Sequence, residues 1–300
     1  MRRTAILLCL FAGLMVLPAF AQSPLSDTYV LPVASHTAGG NGVWMSDISI
    51  TNVSSATALT VQLVFVESGE NNLNNVFPVT TASVNGSVTV PPLGTTTLVD
   101  ALNGYRGVSN ISGAVILGGD MPFAVTSRSY VTNGSGTIGQ TVTPAQNFIT
   151  NSIGRVDLPN AVAFVPGIAN NGQYRTNLGI VVGNTDAAGA TMGVLITVRD
   201  ASGATRGTRL VSIPAGSVIH TQIAVSSIAD RNFDSGSAEF RIVSGNGAVV
   251  PYASVVDNGT ADAVFILGQF PANTAFSSTG ATLSIFRTIL NRTMASGSTY

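Results

Sequence analysis

The strongest pattern in the chain is an alternation of apolar and polar side chains between residues 44 and 67, interrupted by a polar turn at 52–56. A period of two places successive side chains on opposite faces of an extended strand. The segment therefore predicts two half-buried strands joined as a hairpin. Their core-facing side chains are predicted to be Ile48, Ile50, Val61, Leu63 and Phe65.

The same pattern returns between residues 174 and 203, with a turn at 183–186. Its predicted core-facing side chains are Leu178, Ile180, Val194, Ile196 and Val198. Matching residues also keep the same order along both halves: Pro32 and Pro166, Asp47 and Asn177, Glu67 and Asp200, segments 92–94 and 214–216, and Gly139-Gln140 and Gly268-Gln269. This spacing is too long for a solenoid repeat and indicates one small domain copied once.

Other strand-like segments follow one another with turn signals at about 8- to 12-residue intervals, and amphipathic helices of convincing length are lacking. The predicted fold is all-β, with two tandem antiparallel Ig-like β-sandwich domains from an internal duplication. Asn85-Gly86 favours a tight hairpin turn, and a second turn is predicted at Gly118-Gly119-Asp120.

The predicted boundaries follow from changes in composition. They are a signal peptide at 1–21, an N-terminal arm at 22–28, a first β-sandwich at 29–145, a linker at 146–160, a second β-sandwich at 161–271 and a C-terminal tail at 272–300. The tail is compatible with either a helix or a strand, and both remain open.

The first residues have the layout of a secretory signal. Arg2 and Arg3 precede an apolar run at 5–17, and small residues stand before Gln22. The only cysteine, Cys9, lies inside that run. We therefore predict a secreted, periplasmic or cell-surface protein without disulfides. Later apolar stretches fall short of the about 18–20 residues of a membrane-spanning helix.

Charge is scarce, because 13 basic and 14 acidic residues make up 9% of the chain and lysine is absent. Such a surface lacks the basic patch that nucleic acids or anionic lipids require. The predicted partner is therefore an extracellular protein or a glycan.

Several short motifs resemble those of poorly characterised secreted bacterial proteins with tandem Ig-like β-sandwich modules. They are W-x-x-D-I at 44–48, S-R-S-Y at 127–130, Y-R-T-N-L at 174–178, D-A-S-G at 200–203 and Y-A-S-V-V-D-N at 252–258. The resemblance covers residues 29–271 and implies the fold and the export. It implies no activity, because no catalytic residue is assigned to such modules.

Enzyme chemistry finds little support in the sequence. A hydrolase needs a base or a pair of converging carboxylates, and His36 and His220 both lie outside any motif. We predict a non-enzymatic protein without a cofactor. The loop containing Asp257, Asn258 and Asp262 is a weak calcium candidate, because it lacks the spacing and the bidentate glutamate of a calcium loop.

Two further hypotheses concern aromatic and charged side chains. Glycan stacking would use exposed aromatic rings, and the candidates are Trp44, Tyr105, Tyr130, Tyr174, Phe233 and Tyr252. Structural pairs are predicted between Asp47 and Arg128 in the first half, and between Arg175 or Asn177 and Asp257 in the second.

Three functions remain, in descending order of support. The first is an exported, non-enzymatic Ig-like protein in surface, adhesion or matrix interactions. The second is a pair of carbohydrate-binding modules, and the third is a hydrolase of unrecognised type. Exposure of the candidate aromatic residues discriminates between the first two.

Overall fold

The computed structural model describes residues 25–39, 42–70, 72–73, 86–132, 136–146, 149–151, 162–184 and 189–270. Within these ranges the chain consists mainly of antiparallel strands, with no α-helix and one 3-10 turn at Val225–Ser227. The all-β prediction is therefore confirmed. The predicted signal peptide and C-terminal tail lie outside the described residues, as does Asn85 of the predicted hairpin turn.

The described residues of the N-terminal half form nine strands. They are β1 (Ser26–Gly39), β2 (Gly42–Asn52), β3 (Leu59–Glu67), β4 (Asn72–Leu73), β5 (Gly86–Val90), β6 (Thr95–Leu98), β7 (Ile111–Thr132), β8 (Thr137–Val142) and β9 (Ile149–Asn151). The C-terminal half contains β10 (Val162–Asn170), β11 (Tyr174–Asn184), β12 (Met192–Asp200), β13 (Thr205–Ile213), β14 (Ser217–Ala224), β15 (Phe233–Ser244), β16 (Gly247–Asp257) and β17 (Ala263–Leu267). Strand β1 thus begins within the predicted N-terminal arm, and β9 lies within the predicted linker.

The 22-residue strand β7 organises the N-terminal half. Its first part pairs with β1 and β3, and its last part pairs with β2 and β8. Strand β5 extends β3, and β6 extends β2. Two layers result, β1-β7-β3-β5 and β8-β7-β2-β6, and apolar side chains from both layers form one core.

The turn predicted at residues 118–120 does not end a strand, because β7 continues through this segment and exchanges partners there. Gly119 permits the bend. A Cβ atom at this position would lie 2.8 Å from the ring of Phe123, so a side chain would clash with the continuation of the same strand.

Two sheets enclose a second core in the C-terminal half. One is the four-stranded sheet β10-β15-β12-β13, and the other has the order β17-β16-β11-β14, to which β4 adds beside β14 and β9 beside β16. Their strand orders match those of the N-terminal layers, with β15 and β16 in the places of the two parts of β7. The registers match as well. Phe65 and Leu31 both lie opposite Val115, as Val198 and Val165 both lie opposite Ala238.

The core-facing predictions are confirmed. All ten side chains predicted from the two hairpin patterns are buried, with Leu63 the most exposed at 5%. Alternation within each strand was therefore sufficient to identify the face that packs on the sandwich interior.

A third apolar cluster joins the two halves. Strands β1, β3 and β7 contribute Val30, Val64, Val66, Ala114, Ile116 and the adjoining Ala145, and the facing strands β11, β14 and β16 contribute Val181, Val218, Ala248 and Val250. The backbone also crosses the junction. Strand β4 pairs with β14, and the Gly69 amide donates to the His220 carbonyl at 2.9 Å.

A buried asparagine at the end of a strand closes each sandwich in the same way. The Nδ2 of Asn52 donates to the carbonyls of Thr57 and Val90, at 2.8 and 3.1 Å. The Nδ2 of Asn184 donates to the carbonyls of Ala190 and Ile213, at 3.1 and 2.9 Å. Each side chain therefore ties the loop after its strand to the end of β5 or β13. The hydrophobic pattern predicted only that both asparagines lie in polar turns, and it did not indicate these hydrogen bonds.

Phe65→Ala is expected to lower the free energy of unfolding by about 3–5 kcal/mol, because it empties a fully buried aromatic site. Urea denaturation would measure this change. Thr60→Ala, at an exposed position of the same strand, serves as the control and should change stability by less than about 0.5 kcal/mol. Equal stability of the two variants would contradict the register of β3.

Asn52→Ala and Asn184→Ala are each expected to destabilise the protein by about 1–3 kcal/mol, because each leaves buried carbonyl groups without their donor. Thermal and urea unfolding would measure both. Asn103→Ala is the control, since the Asn103 amide donates to Ser109 in an exposed loop. A control variant as unstable as the other two would argue against a specific role for the clamps.

Candidate functional site

The predicted pair of Asp47 and Arg128 is in register but is not an ion pair. The two residues lie opposite each other on β2 and β7, yet their side chains form no contact within the 4 Å limit of a salt bridge. Asp47 Oδ1 instead accepts from the Asp100 amide at 2.8 Å and the Tyr130 hydroxyl at 3.1 Å. Arg128 donates to Thr137 and lies 5.0 Å from the centre of the Tyr130 ring. Closer donors therefore replaced the expected partner.

Four polar residues form a cluster at this edge of the N-terminal half: His36, Asp47, Asp100 and Tyr130. His36 Nδ1 lies 2.8 Å from a carboxylate oxygen of Asp100, and both side chains are largely buried. Asp100 has a φ of 45°, a left-handed conformation that is uncommon for a residue other than glycine. Burial and the neighbouring Asp47 carboxylate raise the pKa of Tyr130. These groups bind one another, so the cluster joins β1, β2, β7 and the loop after β6.

The second predicted pair also has a different partner. Arg175 donates to Asn258 Oδ1 at 2.7 Å rather than to Asp257. Asn177, which lies opposite Ser254, makes no side-chain hydrogen bond to the described part of the chain. The described residues of the C-terminal half therefore contain no counterpart of the four-residue cluster, and β14 leads directly into the buried Val225.

The calcium candidate is a turn held by its own hydrogen bonds. The Asp257 carboxylate accepts from the amides of Gly259 and Thr260, both at 2.8 Å, and these bonds lower its pKa. Asn258 binds Arg175 and Gly172, and Asp262 accepts from the Ala263 amide. Among the described residues, no group of three His, Cys, Asp or Glu side chains could hold a metal ion.

The candidate aromatic rings do not form an exposed platform in the described structure. Tyr252 and Phe233 are buried, whereas Trp44, Tyr130 and Tyr174 are half-buried. Tyr105 is exposed, and its hydroxyl donates to the Ser87 carbonyl. None of these exposed or half-buried rings stacks on another. Trp44 nevertheless lies at a cavity described below.

A polar chain leads from Gln222, which is exposed, to the buried side chains of Tyr252 and His220. The Gln222 amide donates to the Tyr252 hydroxyl at 2.9 Å, so that hydroxyl directs its proton to His220 Nε2, at 2.7 Å. The Tyr252 ring stacks on Phe265 and lies over Gly179, where an added Cβ would come within 2.0 Å of the ring. His220 Nδ1 is buried without a hydrogen-bond partner of good geometry. Burial lowers the pKa of His220 to about 4, and the Pro32 carbonyl opposes this shift only in part.

A cavity of about 220 Å³ opens beside the apolar contact between the halves. We call it the junction cavity. The N-terminal half contributes Val33, Ser35, Thr37, Trp44, Ser112, Ser129 and Gln140, and the C-terminal half contributes Arg175, Asn177, Gln222, Ser254, Val256 and Ala263. Its buried wall includes a hydrogen bond across the junction, from Ser254 to Gln140 Oε1 at 3.0 Å.

A larger groove of about 530 Å³ lies between the edge strands β13 and β14, but none of its lining residues is buried. The junction cavity is the stronger candidate, because buried polar side chains from both halves converge on it. Of the lining residues, sequence analysis had selected only Trp44, Arg175 and Asn177. The others come from several strands that are distant in the sequence, and no local pattern indicates that they line one cavity.

Stability is expected to fall between pH 6.5 and pH 4 because of His220. The neutral ring is the folded form, whereas the unfolded chain binds a proton below its ordinary pKa of about 6.5. The loss should reach about 3 kcal/mol near pH 4, given a folded pKa of about 4. Urea denaturation across this pH range would measure it.

His220→Gln should flatten this part of the pH profile, since the amide can still accept from Tyr252 but does not titrate. His36→Gln is the matched control, and its profile should keep the decline caused by His220. An unchanged profile for His220→Gln would contradict the assignment.

No helix in the described part of the chain is long and apolar enough to cross a membrane.

Comparisons with known proteins give no family. No protein-family model and no curated protein matches the chain. Among solved structures, the chain is similar to a calcium-binding mutant of Bacteroides uniformis β-glucuronidase 2, with 9% sequence identity and a TM-score of 0.19. That similarity covers 81% of this chain and 26% of the other. A TM-score this low carries no argument about the function of this chain.

Proposed function

We propose that this chain is an exported, non-enzymatic binding protein of the cell surface or extracellular matrix, built from two tandem Ig-like β-sandwich modules. Internal duplication accounts for the matching strand orders and for the two asparagine clamps. It also accounts for a buried hydroxyl at one position of each half. Ser46 accepts from the Ser35 amide, and Thr176 accepts from the Ala169 amide.

The observation that carries the binding function is the composition of the junction cavity. Its polar lining consists of amides, hydroxyls and one guanidinium, with no carboxylate and no histidine. Acid and base catalysis requires a group that can exchange a proton near neutral pH. A cavity without such a group supports ligand binding rather than hydrolysis.

The same cavity favours a glycan over a protein as the partner. Neutral amides and hydroxyls match the hydroxyl groups of sugars, which also both donate and accept hydrogen bonds. A protein partner would require an extended surface, commonly about 800 Å² on each side. Carbohydrate binding is therefore the more specific form of the proposal, although it uses a cavity rather than an aromatic platform.

A glycan array combined with a hydrolysis assay tests this function. Protein would be collected from outside the expressing bacteria, where its first residue is expected to be Gln22, and applied to immobilised glycans. We expect retention of a defined glycan subset without release of sugar products. Product release would contradict the non-enzymatic assignment, and retention in the cytoplasm would contradict export.

The control protein for the array is Ser49→Ala, which removes a hydroxyl bonded to Thr97 on the outer sheet of the N-terminal half. It should be retained by the same glycans as the unchanged protein. If no glycan retains either protein, the carbohydrate form of the proposal fails.

A further inference from the structure

The size of the junction cavity limits the ligand to one small unit. At about 220 Å³ it is smaller than the roughly 300–1,000 Å³ of sites for drug-sized molecules. It can accommodate one sugar ring with its substituents but not an extended oligosaccharide. A longer glycan would therefore enter with one terminal unit.

Several polar groups at the cavity have no partner in the described structure. The Oε1 atom of Gln140 accepts from Ser254, but its Nε2 atom makes no hydrogen bond to the described residues. The side chains of Asn177 and Thr37, which are half-buried, likewise make no hydrogen bond to the described residues. Together these groups supply donors and acceptors to a ligand without breaking bonds of the fold.

Trp44 gives the cavity an apolar, aromatic boundary. The ring is half-buried against β1, so that a Cβ atom on Gly39 would lie 2.8 Å from its Cδ1. Contact with β1 restricts the ring. An aromatic ring can pack against the C–H face of a sugar while neighbouring amides bind the hydroxyl groups.

Charge excludes another class of small ligand. Amines and amino acids carry an ammonium group, which is recognised by carboxylates, and no carboxylate lines the cavity. Arg175 is the only charged lining residue, so an acidic substituent is tolerated and a cationic one is not.

We propose that the junction cavity binds one monosaccharide unit, neutral or acidic, between Trp44 and the side chains of Gln140 and Asn177. This inference rests on the proposed binding function and names its site. Its failure can be distinguished from failure of that function, because a glycan bound elsewhere would still be retained on the array.

Intrinsic fluorescence provides a direct test, because Trp44 is the only tryptophan in the chain. The full mature protein would be titrated with glucose, galactose, mannose, N-acetylglucosamine and glucuronate, with excitation selective for tryptophan. At least one sugar should shift the emission and saturate with a Kd on the order of 1 mM, as expected for a ligand of this size. Saturation-transfer NMR would measure the same binding independently of the fluorophore.

Asn177→Ala should weaken this binding at least about tenfold, which corresponds to the loss of one or two hydrogen bonds. The substitution breaks no bond in the described structure, so its thermal unfolding should match that of the unchanged protein. Thr37→Val provides a second variant at the same cavity, and Ser49→Ala is the control with unchanged affinity. Arg175→Gln should weaken glucuronate binding more than glucose binding.

Two results would overturn the inference. One is the absence of both a fluorescence change and an NMR signal for every sugar tested. The other is a sugar that binds by NMR with equal affinity to the unchanged protein, Asn177→Ala and Thr37→Val. The second result would place the ligand elsewhere and leave the proposed binding function intact.

Discussion

Burial of the same strands on both faces is the constraint on which the rest of this structure depends. In β1, β3 and β7, one set of side chains, including Leu31, Phe65 and Val115, fills the N-terminal core. The alternate side chains, including Val66 and Ile116, pack against the C-terminal half. Where these strands contact the C-terminal half, neither face is available to water, so separating the halves would expose an apolar surface at a cost of about 25 cal/mol per Å².

The polar side chains of the junction cavity lie where the apolar contact between the two halves ends. Val33, Val142 and Tyr252 form a small cluster at its margin, and beyond them serine and glutamine side chains face one another across the junction. The two sheets cannot approach as closely there, because polar groups must keep partners or solvent. The cavity is thus a product of the way the halves meet. Within the contact, His220 is tolerated in its neutral form because Tyr252 supplies a hydrogen bond.

Comparison of the two halves shows which polar features they share and which occur in one half. Both contain the asparagine clamp and the buried hydroxyl one position before Asp47 or Asn177. Among the described residues, only those of the N-terminal half include such a cluster, formed by His36, Asp47, Asp100 and Tyr130, so two sheets of this strand order pack together without it. At the matching place, Asn177 is left with its amide unbound in the described structure and directed to the junction. This difference between the two halves therefore coincides with the candidate ligand site.

Local sequence determined the strands of the two hairpins, their core-facing sides and the all-β class, because a period of two depends only on neighbouring residues. It could not determine partners. Gly118-Gly119-Asp120 has the composition of a turn, but the bend occurs within a single strand since β7 finds new neighbours on each side of it. Val64 alternates as a solvent-facing residue would, yet it is buried because a second sandwich covers that face.

The same limit applies to the site. Asp47 and Arg128 could be assigned to facing strands, but the amide of Asp100 and the hydroxyl of Tyr130 lie closer to the carboxylate. Gln140 and Ser254 lie in segments that the sequence analysis singled out, but no local pattern indicates that they meet, because their hydrogen bond joins residues 114 positions apart in the chain. The sequence by itself therefore determined which side chains of the two hairpins face a core. Only the tertiary structure decided which polar residues meet, since that depends on how the two halves pack against each other.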